Sequence, residues 1–246
     1  MTRDRADRLM VRQGLVPSRE QAQALIAAGH VLADGKHVTK ASQKLPDDCV
    51  LLLEGAGPMR VSRAGEKLDH ALAHFNLEVG GTVCLDIGAS TGGFTEVLLR
   101  EGARRVYAVD VGHDQLAEML KRDSRVVSLE GVNARYLSRA EVPEPIDVLV
   151  CDASFISLAK ALEKAIYFVR PGGIMIALVK PQFEVGRDRV GKGGLVRDRA
   201  LHEEVCSTAI AWLESLPGWR SLGLADSPIT GTQGNREFLM AGVRDR

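Results

Sequence analysis

The stretch Thr82-Val-Cys-Leu-Asp-Ile-Gly-Ala-Ser-Thr-Gly-Gly-Phe94 is an apolar run that closes on an aspartate and then breaks into glycines. It reads as a buried strand running into a tight turn and a helix, and no other segment restricts the architecture as strongly. Gly88, Gly92 and Gly93 allow the turn and a close approach of backbone to a ligand. The following helix, from about Phe94 to Arg100, aims its amide-rich N-terminus at the same place. That end suits a carboxylate or phosphate. A strand-to-helix turn that binds nothing is the alternative.

The turn also bears on which ligand. A dinucleotide fingerprint reads G-x-G-x-x-G and needs its second glycine for the pyrophosphate; here that position is Ser90. The next apolar run, Arg105-Val-Tyr-Ala-Val-Asp110, ends in an acid 22 residues after Gly88. An α/β nucleotide site places there the carboxylate that binds ribose hydroxyls. A ribose without a pyrophosphate cradle favours S-adenosylmethionine over NAD, and leaves a dehydrogenase as the weaker reading.

Residues 59–246 alternate strands and helices, with strands expected at 82–87, 105–110, 125–129, 146–151, 173–179, near 220–226 and at 236–242. This pattern predicts an α/β, Rossmann-like domain: a mostly parallel seven-stranded sheet with helices on both faces. Ligands of such sheets bind beyond the carboxyl ends of the strands, where Asp86, Asp110, Asp152 and Lys180 fall. Asp152 and Lys180 follow adjacent-looking strands and put opposite charges at one edge. A purely structural ion pair is the competing reading.

Residues 1–58 read as a separate small α+β unit. An arginine-rich helix near Arg3 to Gln13 is followed by a second, marked by Pro17, the capping box Ser18-Arg-Glu-Gln21 and a stop at Gly29. A hairpin turning at Asp34-Gly35 comes next, then a strand at Cys49–Leu53. Gly55-Ala-Gly57-Pro58 reads as the linker. The chain of 246 residues is neutral overall, with 32 basic and 32 acidic residues, so attraction to nucleic acid must come from local patches. Residues 1–44 supply one, with eight Lys or Arg against four acids. Arg5, Arg8 and Arg12 recur at helical spacing and are expected to form one face, which suits a phosphate backbone or plain solvent equally.

The four cysteines lie far apart, in no C-x-x-C pair and at no zinc spacing with histidine, so no metal site is expected and the thiols read as reduced, in a cytoplasmic protein. No signal-like segment or run of 18 apolar residues occurs, so no membrane partner is expected.

Arg5-Ala-Asp-Arg-Leu9, Pro17-Ser-Arg-Glu-Gln-Ala22, Leu25-Ile-Ala-Ala-Gly-His-Val31 and Asp34-Gly-Lys36 resemble the S4 RNA-binding fold. The resemblance implies that Arg5, Arg8, Arg19 and Lys36 contact structured RNA. Lys67, Asp152, Lys180 and Glu237 fall in the order and contexts of the Lys-Asp-Lys-Glu tetrad of FtsJ-type ribose 2′-O-methyltransferases. The combination, with Ser62-Arg-Ala-Gly-Glu-Lys-Leu68, Leu85–Thr95, Tyr107–His113, Cys151–Ser157 and Leu178–Glu184, resembles the TlyA family over almost the whole chain. That family is associated with 2′-O-methylation of cytidines in ribosomal RNA of one or both subunits, and older members are labelled haemolysins. The resemblance implies an enzyme working on ribosomal RNA or ribosomal subunits. A binding-only assembly factor and a membrane-lytic protein are the rival classes; the intact tetrad argues against the first and the lack of a spanning segment against the second.

Methyl transfer from a sulfonium to a ribose hydroxyl is an in-line displacement that needs alignment and loss of a proton. Lys180 is the expected base, with Lys67 as the neighbouring cation and Asp152 and Glu237 orienting the lysines and the hydroxyl. The expected cofactor contacts are Asp86, Gly88, Ser90, Gly92, Gly93, Phe94, Asp110, Asp152 and Asn133, the last toward adenine. Further RNA contacts are expected from Arg63 and from Arg187, Arg189 and Lys192, in a flexible glycine-rich loop over 181–198.

Overall fold

The computed structural model describes residues 3–16, 18–54, 61–231 and 234–245. The chain divides into two units, Met1–Arg60 and Val61–Arg246. The expected linker Gly55–Pro58, the boundary placed after it and the helix-start signal at Pro17 lie outside the described residues.

In the first unit, β1 (Arg3–Arg5) leads into α1 (Ala6–Arg12), then α2 (Arg19–Ala27), β2 (Val31–Ala33), β3 (Lys36–His37), β4 (Lys44–Pro46) and β5 (Leu51–Leu53). The expected helix from Arg3 is thus corrected, because Arg3–Arg5 pairs antiparallel with Lys44–Pro46. Arg5 consequently stands off the helix, and the single arginine face expected from Arg5, Arg8 and Arg12 does not form. α2 starts at its cap, where Ser18 Oγ accepts from the Gln21 amide at 3.2 Å. Asp34 and Gly35 both have positive φ, 49° and 76°, and join β2 to β3 as the Asp-Gly turn requires. β2 is the centre of a three-stranded sheet between β3 and β5. Leu9 and Met10 of α1 are fully buried in this unit's own core, where each contributes about 2 kcal/mol of apolar transfer.

The second unit runs α3 (Gly65–Phe75), β6 (Val83–Ile87), α4 (Gly93–Arg100), β7 (Arg105–Asp110), α5 (Glu118–Lys121), β8 (Val126–Glu130), β9 (Ile146–Cys151), α6 (Leu158–Ala161), β10 (Val169–Val179), α7 (Pro181–Glu184), α8 (Arg199–Ser215), β11 (Trp219–Asp226) and β12 (Phe238–Arg244). The seven strands lie in the order β11-β12-β10-β9-β6-β7-β8. β6 to β10 are parallel, and β12 enters antiparallel between β10 and β11. Apolar clusters form on both faces: alternate residues of β6 divide between them, Leu85 and Ile87 to one and Cys84 to the other. Strands buried on both faces explain the near-continuous apolar runs of the sequence.

Register places the polar residues. Ile87 of β6 lies beside Val109 of β7 and Cys151 of β9, and Val179 of β10 faces Phe238 of β12. The residues just past these positions, Gly88, Asp110, Asp152, Lys180 and Glu237, therefore gather at one edge. The expected flexible loop over 181–198 is instead partly ordered, by α7 and by short 3₁₀ turns at Arg187–Arg189 and Lys192–Gly194. Among the described residues no helix is long and apolar enough to cross a membrane. The cysteines are free, and burial pushes the Cys84 and Cys151 thiols up to about 12.

Candidate active site

Four charged side chains converge where β9 and β10 end. Lys67, in the first turns of α3, donates from Nζ to Glu237 Oε2 at 2.7 Å and to Asp152 Oδ2 at 3.3 Å. Lys180 Nζ lies 2.6 Å from Asp152 Oδ1 as an ion pair off the hydrogen-bond direction, and donates to Ser154 Oγ at 2.9 Å and to the Asp152 carbonyl at 3.3 Å. Asp152 therefore bridges both lysines. Lys67, Lys180 and Glu237 are buried, and a structural salt bridge is a poor reason to bury three charges, because desolvation offsets most of the Coulomb gain. Gly231 makes room: a Cβ there would stand 2.5 Å from Glu237 Oε1.

Beside this network lies the turn after β6. Gly88 has φ +81°, and an added Cβ would stand 2.9 Å from Ala153 Cα and 3.1 Å from the Asp152 carbonyl carbon. Gly92, at φ +100°, lies under the side chains of Leu116 and Leu120, and Gly93 against Ser62 and Ala64. In this structure the close approaches these glycines allow are thus to protein: they bring the β9 end and α3 up to the turn. The Phe94 side chain, in the first turn of α4, is buried in the core.

Asp110, at the end of β7, accepts from the Ser90 amide at 2.8 Å and the Gly112 amide at 2.7 Å. These bonds fix the carboxylate and leave each oxygen a lone pair. Ser90 itself adopts φ +48°. Asp86 is fully buried; Thr95 Oγ1 donates to its Oδ2 at 2.7 Å, and Oδ1 has no partner among the described residues. Burial, reinforced by the charges of Asp152 and Asp110 and opposed by the Thr95 bond, pushes its carboxyl up to about 7. Asn133 is exposed and caps the turn Ala134–Tyr136, its Oδ1 accepting from the Arg135 amide at 3.0 Å and its Nδ2 making no hydrogen bond among the described residues.

Several residues at this edge were not singled out in the sequence. Glu130 accepts from the Gln115 and Leu116 amides and pairs with Lys121 at 2.6 Å, holding the segment that covers Gly92. The Lys121 bond, with help from those amides, holds its carboxyl down at about 2. Ser154 and Phe155 sit inside a quoted motif, yet only the structure shows Ser154 on Lys180 and Phe155 at 89% exposure, with φ +65° and its ring 5.2 Å from that of Phe183. Phe155 is thus a large apolar ring left exposed on a strained backbone.

The cations expected to meet RNA differ in how free they are. In the first unit the fully buried Asp7 accepts from Arg5 at 2.9 and 3.0 Å, from Arg19 at 2.9 Å and from Gln23 at 3.0 Å. These donors, Arg5 foremost, hold its carboxyl far below the usual range. Arg8 pairs loosely with Asp4 at 3.7 Å. Arg189 is committed to Glu204, whereas Lys36, Arg187, Lys192 and Arg197 are exposed with no ion pair among the described residues. Arg63 is exposed just ahead of α3.

Residues 60–244 match the FtsJ-like methyltransferase family, and residues 4–48 match the S4 domain. Fold and site together thus define a methyltransferase fused to an S4 unit. The 16S/23S rRNA (cytidine-2′-O)-methyltransferase TlyA of Mycobacterium tuberculosis is 44% identical, over 97% of this chain and 89% of its own. Hemolysin A of Brachyspira hyodysenteriae is 41% identical, over 96% and 98%. A solved structure from Streptococcus thermophilus that carries the label hemolysin is 42% identical, with a TM-score of 0.75 over 100% of this chain and 90% of that one. The chain belongs to the TlyA family within the FtsJ-like methyltransferases.

Proposed function

We propose that this protein transfers the methyl group of S-adenosylmethionine to the ribose 2′-oxygen of a cytidine in ribosomal RNA. The observation that carries the reading is the buried Lys67–Asp152–Lys180–Glu237 network, set beside a glycine turn and a fixed ribose-type carboxylate. The names of the relatives supply the substrate class.

The residues fit the cofactor. Asp110 has lone pairs for ribose hydroxyls, Asn133 offers donors for adenine, and Asp152 offers a carboxylate to the methionine end, beside a turn whose Gly88, Ala89, Ser90 and Gly92 amides are bonded within the protein and beneath which Asp86 is buried. When bound, the cofactor supplies a methyl group on cationic sulfur. The chain's own work is to present the hydroxyl. Lys180 Nζ lies against Asp152 Oδ1, the Asp152 carbonyl and Ser154 Oγ. It takes the proton of the 2′-hydroxyl as that oxygen accepts the methyl group, and the ammonium so formed steadies the oxygen. The carboxylates beside it, Asp152 and Glu237, accept hydrogen bonds and orient the nucleophile. Phe155 offers the unstacked target base a surface, as aromatic side chains do for single-stranded RNA. Arg5, Arg8, Arg19 and Lys36 in the S4 unit, with Arg63, Arg187 and Lys192, supply phosphate contacts, while Arg189 is held by Glu204 and contributes little.

The test incubates the protein with methyl-labelled S-adenosylmethionine and unmodified small and large ribosomal subunits separately, then maps label by nuclease digestion and mass spectrometry. Label is expected on a cytidine 2′-oxygen, with Lys180→Ala slowing turnover by about 10²- to 10⁴-fold while binding of S-adenosylhomocysteine persists. Binding of cofactor and RNA with no label on either subunit would overturn the reading and leave a binding-only protein.

A further inference from the structure

Two buried polar side chains outside the tetrad tie the cationic loop to the catalytic edge. Asn235 is 2% exposed. Its Oδ1 accepts from the Val196 amide at 2.9 Å and its Nδ2 donates to the Gly194 carbonyl at 2.8 Å. His202, on α8 and also buried, donates from Nε2 to the Val196 carbonyl at 2.9 Å, since a carbonyl only accepts. Both backbone groups of Val196 are thus held by side chains, in a segment where Lys192 and Arg197 are exposed and carry no ion pair among the described residues.

The same two residues also touch the segment that delivers Glu237. Asn235 is two residues before it, and the Asn235 carbonyl accepts from the Gly231 amide at 2.9 Å, the glycine whose missing Cβ leaves space for the Glu237 carboxylate. The Glu237 carbonyl accepts from the Ser227 amide at 3.0 Å. The His202 ring stands edge-on to Phe238, 5.6 Å between centroids.

We infer that Asn235 and His202 are positioning residues that couple the loop over 191–197 to Glu237. Phosphate contact at Lys192 and Arg197 then bears on the carboxylate that holds Lys67, so the loop sets the geometry of the tetrad as well as contributing affinity. This latch is costly to half-open, because losing either bond of the buried Asn235 amide leaves unpaired groups in a dry interior. The effect on turnover rests on the methyl transfer proposed above; the coupling itself does not.

The test uses the full chain and reads amide hydrogen exchange at Val196, on the loop side, and at Ser227, on the Glu237 side. Asn235→Ala is expected to speed exchange at both by about tenfold or more. It is also expected to lower kcat by a similar factor while the affinity for S-adenosylhomocysteine stays unchanged. His202→Phe, which keeps a ring against Phe238 but loses the donor, is expected to act in the same direction, and His202→Gln, which restores a donor, to recover most of the protection. Faster exchange at Val196 with Ser227 and kcat unmoved would overturn the coupling and leave a loop anchor only. If Asn235→Ala does not fold, the His202 pair decides. A wild-type protein that methylates no ribosomal RNA sinks the functional reading, and the two amides still test the latch.

Discussion

Asp86 shows what one residue in a dry place does to the rest. It is fully buried, with a single side-chain donor, Thr95, and an orphan oxygen. Its folded pKa of about 7 lies above the ordinary carboxyl value, chiefly through burial. For a raised carboxyl the sign is fixed: the folded state holds the proton longer, so the contribution is whole below about pH 4 and is lost as pH climbs toward 7. Three units correspond to roughly 4 kcal/mol at most. Asp86→Asn, which can still accept from Thr95, removes the titration. Urea unfolding of both proteins at pH 5 and pH 8 is therefore expected to show the wild type losing about 2–3 kcal/mol more than the variant over that interval. Parallel losses would mean that Asp86 is already ionised at pH 5, and would remove the buried-acid account. A network that keeps such a group is spending stability on a polar site, as functional sites commonly do.

At the scale of elements, the turn between β6 and α4 joins fold to chemistry through Gly88. Two effects act there: φ of +81° and the backbone of Ala153, 2.9 Å from any added Cβ. Gly81 separates them, since it has φ +74° and open space around it. Gly81→Ala is expected to cost about 1 kcal/mol by strain alone, and Gly88→Ala about 2–4 kcal/mol by strain plus crowding, with kcat falling because Ala153 adjoins Asp152. Equal losses in chemical denaturation would refute the crowding. The same elements show what could be read from sequence. β7 and β9 were legible to the residue because each carries an unbroken apolar stretch, Val106–Val109 and Val148–Cys151, flanked by charged residues. β1 was not, because Arg3–Arg5 has no strand signal of its own and is made a strand by Lys44–Pro46, some forty residues away. Lys67 and Glu237 carry no local mark of function either; only motif order linked them, and the distances to Asp152 and Lys67 came from the fold. The order in the 181–198 loop was hidden for the same reason, since its anchors, Asn235 and His202, are distant in the chain or look like ordinary polar residues.

Over the whole molecule the charge is zero, so RNA affinity depends on which cations are unspent. Arg5 and Arg19 share a carboxylate, Arg189 is paired with Glu204, and Arg187, Lys192 and Arg197 have no ion pair among the described residues. A paired cation must give up its partner to meet a phosphate, and its release of counterions is correspondingly smaller. Each phosphate neutralised steepens the fall of log K with log salt by about 0.7 to 0.9. In the full chain, the triple substitution Arg187→Ala, Lys192→Ala and Arg197→Ala is therefore expected to flatten that slope by about 2 units. Arg189→Ala is expected to change it by less than about half a unit. Filter binding to a ribosomal RNA fragment across a salt series reads both, and S-adenosylhomocysteine affinity serves as the control for folding. A triple variant with an unchanged slope would place the phosphate contacts on other cations, and the loop would then have to act on the tetrad without touching the RNA backbone.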